Sequence, residues 1–165
     1  MLLMKITINN NSYEASVGQR ILDVARVHHE HIGYFCGGNG MCQTCYITVL
    51  EGMENLTPLS REEKALLSDT LISENTRMAC QTYLEKEGTI RIKSFVEDVK
   101  DMFEQNPTAL VGYAGKMGWE ALVKFPDTIT LQSQREWHLM QFISDVLNGI
   151  GDAFLMVSKA CGKKV

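Results

Sequence analysis

Four cysteines stand where a single turn could gather them. Cys36-Gly37-Gly38-Asn39-Gly40-Met41-Cys42-Gln43-Thr44-Cys45 reads C-x5-C-x2-C, and Cys80 follows after 34 intervening residues. Thiolates are soft ligands, and four of them suit zinc or an iron–sulfur cluster. A structural zinc site usually pairs two short C-x2-4-C knuckles. Here three thiols share one loop and the fourth arrives alone, as a [2Fe–2S] cluster would want; zinc, or a turn-rich loop of free thiols, is the alternative. Rieske ligation is set aside because no histidine replaces a cysteine at the knuckle positions. His28, His29 and His31 lie just upstream without ligand spacing and read as partly exposed residues at a helix end.

The glycines of the loop point the same way. Four thiolates around an oxidised [2Fe–2S] core leave a doubly negative site, and reduction adds one more charge. Backbone N–H groups are the only dense supply of donors for it. Gly33, Gly37, Gly38 and Gly40 allow positive φ and close approach, so that amides can aim at sulfur and tune the potential.

The flanking segments must hold that loop. Lys5 to Asn9 alternates apolar and polar, Asn9-Asn10-Asn11 is turn material, and Tyr13, Ala15 and Val17 share one face, so residues 4–17 read as a hairpin. From Arg20 the period changes: Ile21, Leu22, Val24, Ala25 and His28 follow helical spacing, with Gly33 closing the segment. Tyr46–Leu50 reads as a strand, Ser60-Arg61-Glu62-Glu63 as a capping box opening a short helix, and Thr89–Lys93 as a last strand. The expectation is an α+β fold: a small mixed sheet packed on one helix. Acidic residues at 97, 98, 101 and 104 run into Asn106-Pro107, which places a boundary near 97–107 and two units at 1–100 and 101–165.

Composition narrows the function. The chain has 165 residues, 45% of them hydrophobic, enough for a real core. A net charge of −4 without a basic tract argues against nucleic acid as a partner. No long uncharged apolar run suggests a transmembrane span, and the apolar start at Met1–Met4 meets Lys5 too soon for a secretory signal. The cysteines are therefore expected to be ligands or catalytic thiols, not a disulfide framework.

With these residues in view, the chain resembles the [2Fe–2S] ferredoxins of the β-grasp fold over about residues 4–95. Cys36–Cys45, the Tyr46–Leu50 strand, Leu56-Thr57-Pro58-Leu59-Ser60 and Arg77-Met78-Ala79-Cys80-Gln81 carry the match. The five-residue first gap is like the adrenodoxin and putidaredoxin branch and departs from the four-residue gap of plant ferredoxins. The resemblance implies a [2Fe–2S] cofactor held by Cys36, Cys42, Cys45 and Cys80, and one-electron transfer with no substrate chemistry. More narrowly, His31 through Tyr46 and Asn106-Pro107-Thr108-Ala109-Leu110-Val111-Gly112-Tyr113-Ala114 resemble the iron–sulfur proteins of the chlorosome envelope in green sulfur bacteria. That implies a ferredoxin domain joined to a segment seated in a lipid monolayer. The implied role is redox control of bacteriochlorophyll energy transfer, with a redox protein or quinone-type partner and other envelope proteins nearby.

The last third has a different texture. Ala109 through Phe125 reads as a helix with Gly112, Gly115 and Gly118 three apart. Residues 134–157 form an amphipathic segment, with Leu139, Phe142, Ile143, Val146, Leu147, Ile150, Phe154 and Val157 on one side. This third either folds back on the first domain, meets a partner, or lies in a membrane surface. His138 is a solvated residue or a ligand to a pigment magnesium, and Cys161 is a reduced thiol without a cluster role.

Three functions compete. The first is an electron carrier of the chlorosome envelope. The second is a soluble cytoplasmic ferredoxin serving a monooxygenase or reductase, which the extra helices disfavour; its usual acidic helix is diluted here, with Arg61 and Lys64 among Glu62, Glu63, Asp69 and Glu74. The third is an envelope scaffold with a structural cluster. An enzyme is not expected, since no nucleotide-binding glycine motif or nucleophile–base pair is present.

Overall fold

In the computed structural model, residues 3–135, 140, 143–148 and 150–151 are described. The chain begins with β1 (Leu3–Ile8) and β2 (Asn11–Ser16), antiparallel with Ile8 opposite Asn11. Asn9 and Asn10 both have positive φ (49° and 73°), the two-residue hairpin turn that the asparagine run favours. Helix α1 (Ile21–Val27) buries Ile21, Leu22, Val24 and Ala25. It stops well short of Gly33 because His29 turns left-handed at φ 55°. Glu30 then peels inward to accept hydrogen bonds from Asn9 Nδ2, Asn11 Nδ2 at 2.8 Å and Tyr13 Oη.

After the glycine loop come β3 (Tyr46–Glu51), a 3₁₀ turn at Met53–Asn55, α2 (Arg61–Leu66), α3 (Asp69–Ser73), β4 (Thr76–Met78) and β5 (Thr89–Ser94). The capping box opens α2 as expected, with Ser60 Oγ accepting from Glu63 N–H and the Glu63 carboxylate accepting from Ser60 N–H. The sheet order is β2-β1-β5-β3-β4, with β1 and β5 parallel and the other pairs antiparallel. One core forms where Ile6, Ile8, Ile47, Val49, Ile90 and Ile92 meet the apolar side of α1.

The acidic stretch read as a boundary is itself helical: α4 runs Phe95–Gln105 across residue 100. Ser94 caps it by accepting from Glu97 N–H at 3.2 Å, and Lys93 pairs with Asp98 and Asp101 at 2.7 and 2.8 Å. Carboxylates near a helix N-terminus, neutralised from the preceding strand, stabilise a helix where charge density alone reads as linker.

Helix α5 (Ala109–Ser133) continues past Phe125 and through Pro126. Proline removes a backbone donor there, but tertiary contacts hold the last turns. Thr128 Oγ1 reaches Ala65 O at 3.4 Å, Lys124 Nζ donates to Lys64 O at 3.2 Å, and Leu131 is buried. The side facing the domain carries Tyr113, stacked on Phe95 at 5.6 Å, Lys116, paired with Glu74 at 2.5 Å, and buried Glu120. Val111, Trp119, Leu122, Val123, Phe125 and Ile129 lie on the opposite side, each 50–78% exposed. The helix thus turns a mixed side to the domain, with Met117 and Leu131 among its polar contacts, and leaves a broad apolar side outward.

Candidate metal centre

The four cysteines of the C-x5-C-x2-C…C pattern come together in two pairs. Cys42 Sγ lies 3.3 Å from Cys36 Sγ, and Cys45 Sγ lies 3.2 Å from Cys80 Sγ. None of these four thiols is in a disulfide. Cys36, Cys45 and Cys80 are buried, Cys42 partly so. Ala79 N–H bonds to Cys45 O at 3.0 Å, which fixes the distant fourth cysteine against the loop. Leu22 N–H on Ala79 O and Ile21 N–H on Thr82 O tie the same stretch to the start of α1.

Backbone amides aim at the sulfurs. Asn39, Met41 and Cys42 N–H groups serve Cys36, Thr44 N–H serves Cys42, Cys80 N–H serves Cys45, and Gly40 N–H serves Cys80. The turns that allow this have Gly37, Gly38 and Gly40 at φ 68°, 85° and 62°. Gly33 works differently: its φ is not positive, and it is glycine because a Cβ would sit 2.8 Å from Thr44 O. Thr44 Oγ1, accepting from Phe35 N–H at 3.2 Å, has its own proton for Cys42 Sγ at 3.0 Å. Gln81 Nε2 adds a donor to Cys80 Sγ at 3.6 Å.

Each pair shares a proton unequally. The Cys42 thiol donates to Cys36 and draws its pKa down to about 5, against the effect of burial, while Cys42 is pushed up by that same bond and by burial. Cys80 is likewise lowered by the Cys45 thiol, and Cys45 is raised. Binding metal requires the thiols of both pairs to give up their protons.

Glu63 and Arg77 support the site from beneath. Both are buried, and Glu63 Oε1 accepts from Arg77 Nε at 2.8 Å, from Met78 N–H at 2.9 Å and from Thr82 Oγ1 at 3.1 Å. Arg77 also donates to Thr57 O at 2.9 Å. Glu63 is therefore not part of an acidic surface, which corrects the reading of residues 62–74. The capping box was the signal that its carboxylate turns back on the chain; nothing in the sequence marked Arg77 as its partner.

Residues 6–85 match the 2Fe-2S iron-sulfur cluster binding domain family. The chain is 31% identical over 84 residues to 2Fe-2S ferredoxin-5 of Aquifex aeolicus, covering 50% of this chain and 88% of that protein. The chain belongs to the 2Fe-2S ferredoxin family. Its cofactor is a [2Fe–2S] cluster, and the ferredoxin domain is of the electron-transfer type. It is also 49% identical over 115 residues to chlorosome protein I of Chlorobaculum tepidum (70% of this chain, 47% of that one). Chlorosome protein J of the same organism is 40% identical over 128 residues (77% and 57%). The chain spans about half the length of these two relatives.

The thiol geometry of this ferredoxin domain fits a binuclear cluster, in which each iron takes two protein sulfurs. A single zinc ion would draw all four thiols around one point. His28 stacks on Tyr13 with ring centroids 4.0 Å apart, away from any ligand role. His138, Cys161 and much of the 134–157 segment lie outside the described residues. No helix among the described residues is long and apolar enough to cross a membrane.

Proposed function

We propose that this ferredoxin is a one-electron carrier at the chlorosome envelope, with Cys36 and Cys42 holding one iron and Cys45 and Cys80 the other. The observation that carries the reading is the division of the four thiols into two close pairs ringed by backbone N–H donors. When bound, the cluster supplies storage for a single electron without making or breaking bonds to carbon. The chain contributes the rest. The amides offset added negative charge, the buried walls at Cys45, Tyr46 and Met78 keep water out, and Phe35, 55% exposed beside Cys36, offers an apolar foothold to a redox partner.

The location is supported by the two chlorosome relatives and by the outward apolar side of α5. A row of residues from Val111 to Ile129 left in water is costly, at about 25 cal/mol per Å² of apolar surface, and a lipid monolayer would cover it without a transmembrane span. From that position the carrier would exchange electrons with quinone-type or protein partners and so adjust energy transfer among the pigments. The division into a ferredoxin unit (1–100) and a docking unit (101–165) belongs to this reading. The test has two parts. Protein reconstituted with iron and sulfide should be coloured and give a paramagnetic signal after dithionite, and native protein should co-sediment with pigment-bearing lipid particles. Colourless protein would end the carrier reading, and a wholly soluble distribution would end the envelope reading.

A further inference from the structure

The C-terminal helical residues 143–148 meet the thiol loop at Asp145. Asn39 Nδ2 donates to Asp145 Oδ2 at 3.0 Å and to Cys36 O at 2.7 Å, so one amide joins the loop to the distant helix. Below that bridge the two backbones touch. A Cβ at Gly37 would overlap Asp145 Cβ and lie 2.6 Å from its carbonyl carbon and oxygen. A side chain at position 37 is thus excluded by the helix as well as by its φ of 68°. Arg61 and Gln134 make a second contact between α2 and the chain just beyond α5.

We propose that Asp145 is a positioning residue that latches the C-terminal helix over the Cys36–Cys42 turn, closing that turn around the Cys36 thiol. The turn it closes contains the Asn39, Met41 and Cys42 N–H groups aimed at that thiol. Without the latch, Asn39 loses one of its two acceptors, the turn opens to water, and reagents reach the sulfur. This rests on the proposed location of the cluster, but the latch is also measurable without iron.

Full-length metal-free protein is treated with iodoacetamide and alkylation of Cys36 and Cys42 is followed by mass spectrometry. In parallel, loaded protein is followed for loss of visible absorption to a chelator. Asp145→Ala should raise both rates several-fold. Asp145→Asn, which keeps an acceptor for Asn39, should restore rates near those of the unaltered protein. Asn39→Ala, which also loses the bond to Cys36 O, should be at least as fast as Asp145→Ala, and the double variant should be no faster than Asn39→Ala, because neighbours in one contact are not additive. Unchanged alkylation in Asp145→Ala, failure of Asp145→Asn to restore protection, or additive rates in the double variant would each overturn the latch. Failure of the cluster assignment shows separately, as colour that survives Cys42→Ser.

Discussion

The Arg77 guanidinium and the Glu63 carboxylate meet at 2.8 Å with side chains only 5% and 0% exposed, three residues ahead of Cys80. A buried ion pair is weak evidence for stability by itself, but removing one partner leaves an uncompensated charge inside. Here the same carboxylate also holds Met78 N–H and Thr82 Oγ1, so the pair sets the path of the chain into the fourth cysteine.

Glu63→Gln should destabilise the protein by about 3–5 kcal/mol, measured by urea denaturation at neutral pH. Burial pushes the Glu63 carboxyl up, but Arg77 and the Met78 and Ser60 N–H groups outweigh it, so its folded pKa lies below the ordinary 4.5. Its contribution is therefore fully present above pH 4.5 and disappears as pH falls through the lowered value. The variant should show a flatter stability profile below pH 4.5; an acid limb as steep as that of the unaltered protein would refute the assignment.

At alkaline pH Tyr13 is one contributor beside Tyr46 and Tyr113, its pKa raised to about 12 by burial and by its bond to Glu30. Stability from the neutral phenol is complete below pH 10 and is lost as pH rises towards 12. Tyr13→Phe should lessen the alkaline slope, leaving the part due to Tyr46 and Tyr113, and weaken the hairpin's tie to Glu30, readable as a lower Tm at pH 8.

Cys42→Ser should remove most visible absorption, because one pair loses the sulfur that completes it. Cys161→Ser, outside the pattern, should leave the spectrum unchanged. Equal spectra for both variants would separate the four-cysteine pattern from the cofactor.

Ending the chain after Asn106 removes α5, whose inward contacts combine Lys116, Lys124 and Thr128 with Tyr113, Met117 and buried Leu131, and leaves the core residues Ile6 to Ile92 in place. The shortened protein should remain coloured and lose binding to vesicles of neutral glycolipid. Aggregation of the fragment would show that α5 completes the core.

The hairpin, the capping box and the cysteine loop were legible because each is local: turn residues, a four-residue motif and a short spacing encode them. Cys80 was legible as a fourth soft ligand from its residue type, and the resemblance added the assignment of all four thiols to one cluster. The early end of α1 was not, since it depends on Glu30 finding three donors 17 to 21 residues earlier. The helix at Phe95–Gln105 was masked by its charge, although Ser94 and Glu97 form a capping signal. Glu63 shows the limit most clearly. Its side chain reads as acidic surface until Arg77, 14 residues away, is brought beneath it.

The parallel pairing of β1 with β5, Ile6 beside Ile90 and Ile8 beside Ile92, governs how the protein is made. The N-terminal strand has no inner neighbour until Ser94 has been synthesised, 49 positions after Cys45. At ribosomal speeds of ~5–20 residues per second, that interval lasts roughly 2–10 s. Three bare thiols therefore emerge on a nascent chain that cannot yet fold around them. The order of synthesis thus places the three loop thiols ahead of the strand that completes the sheet.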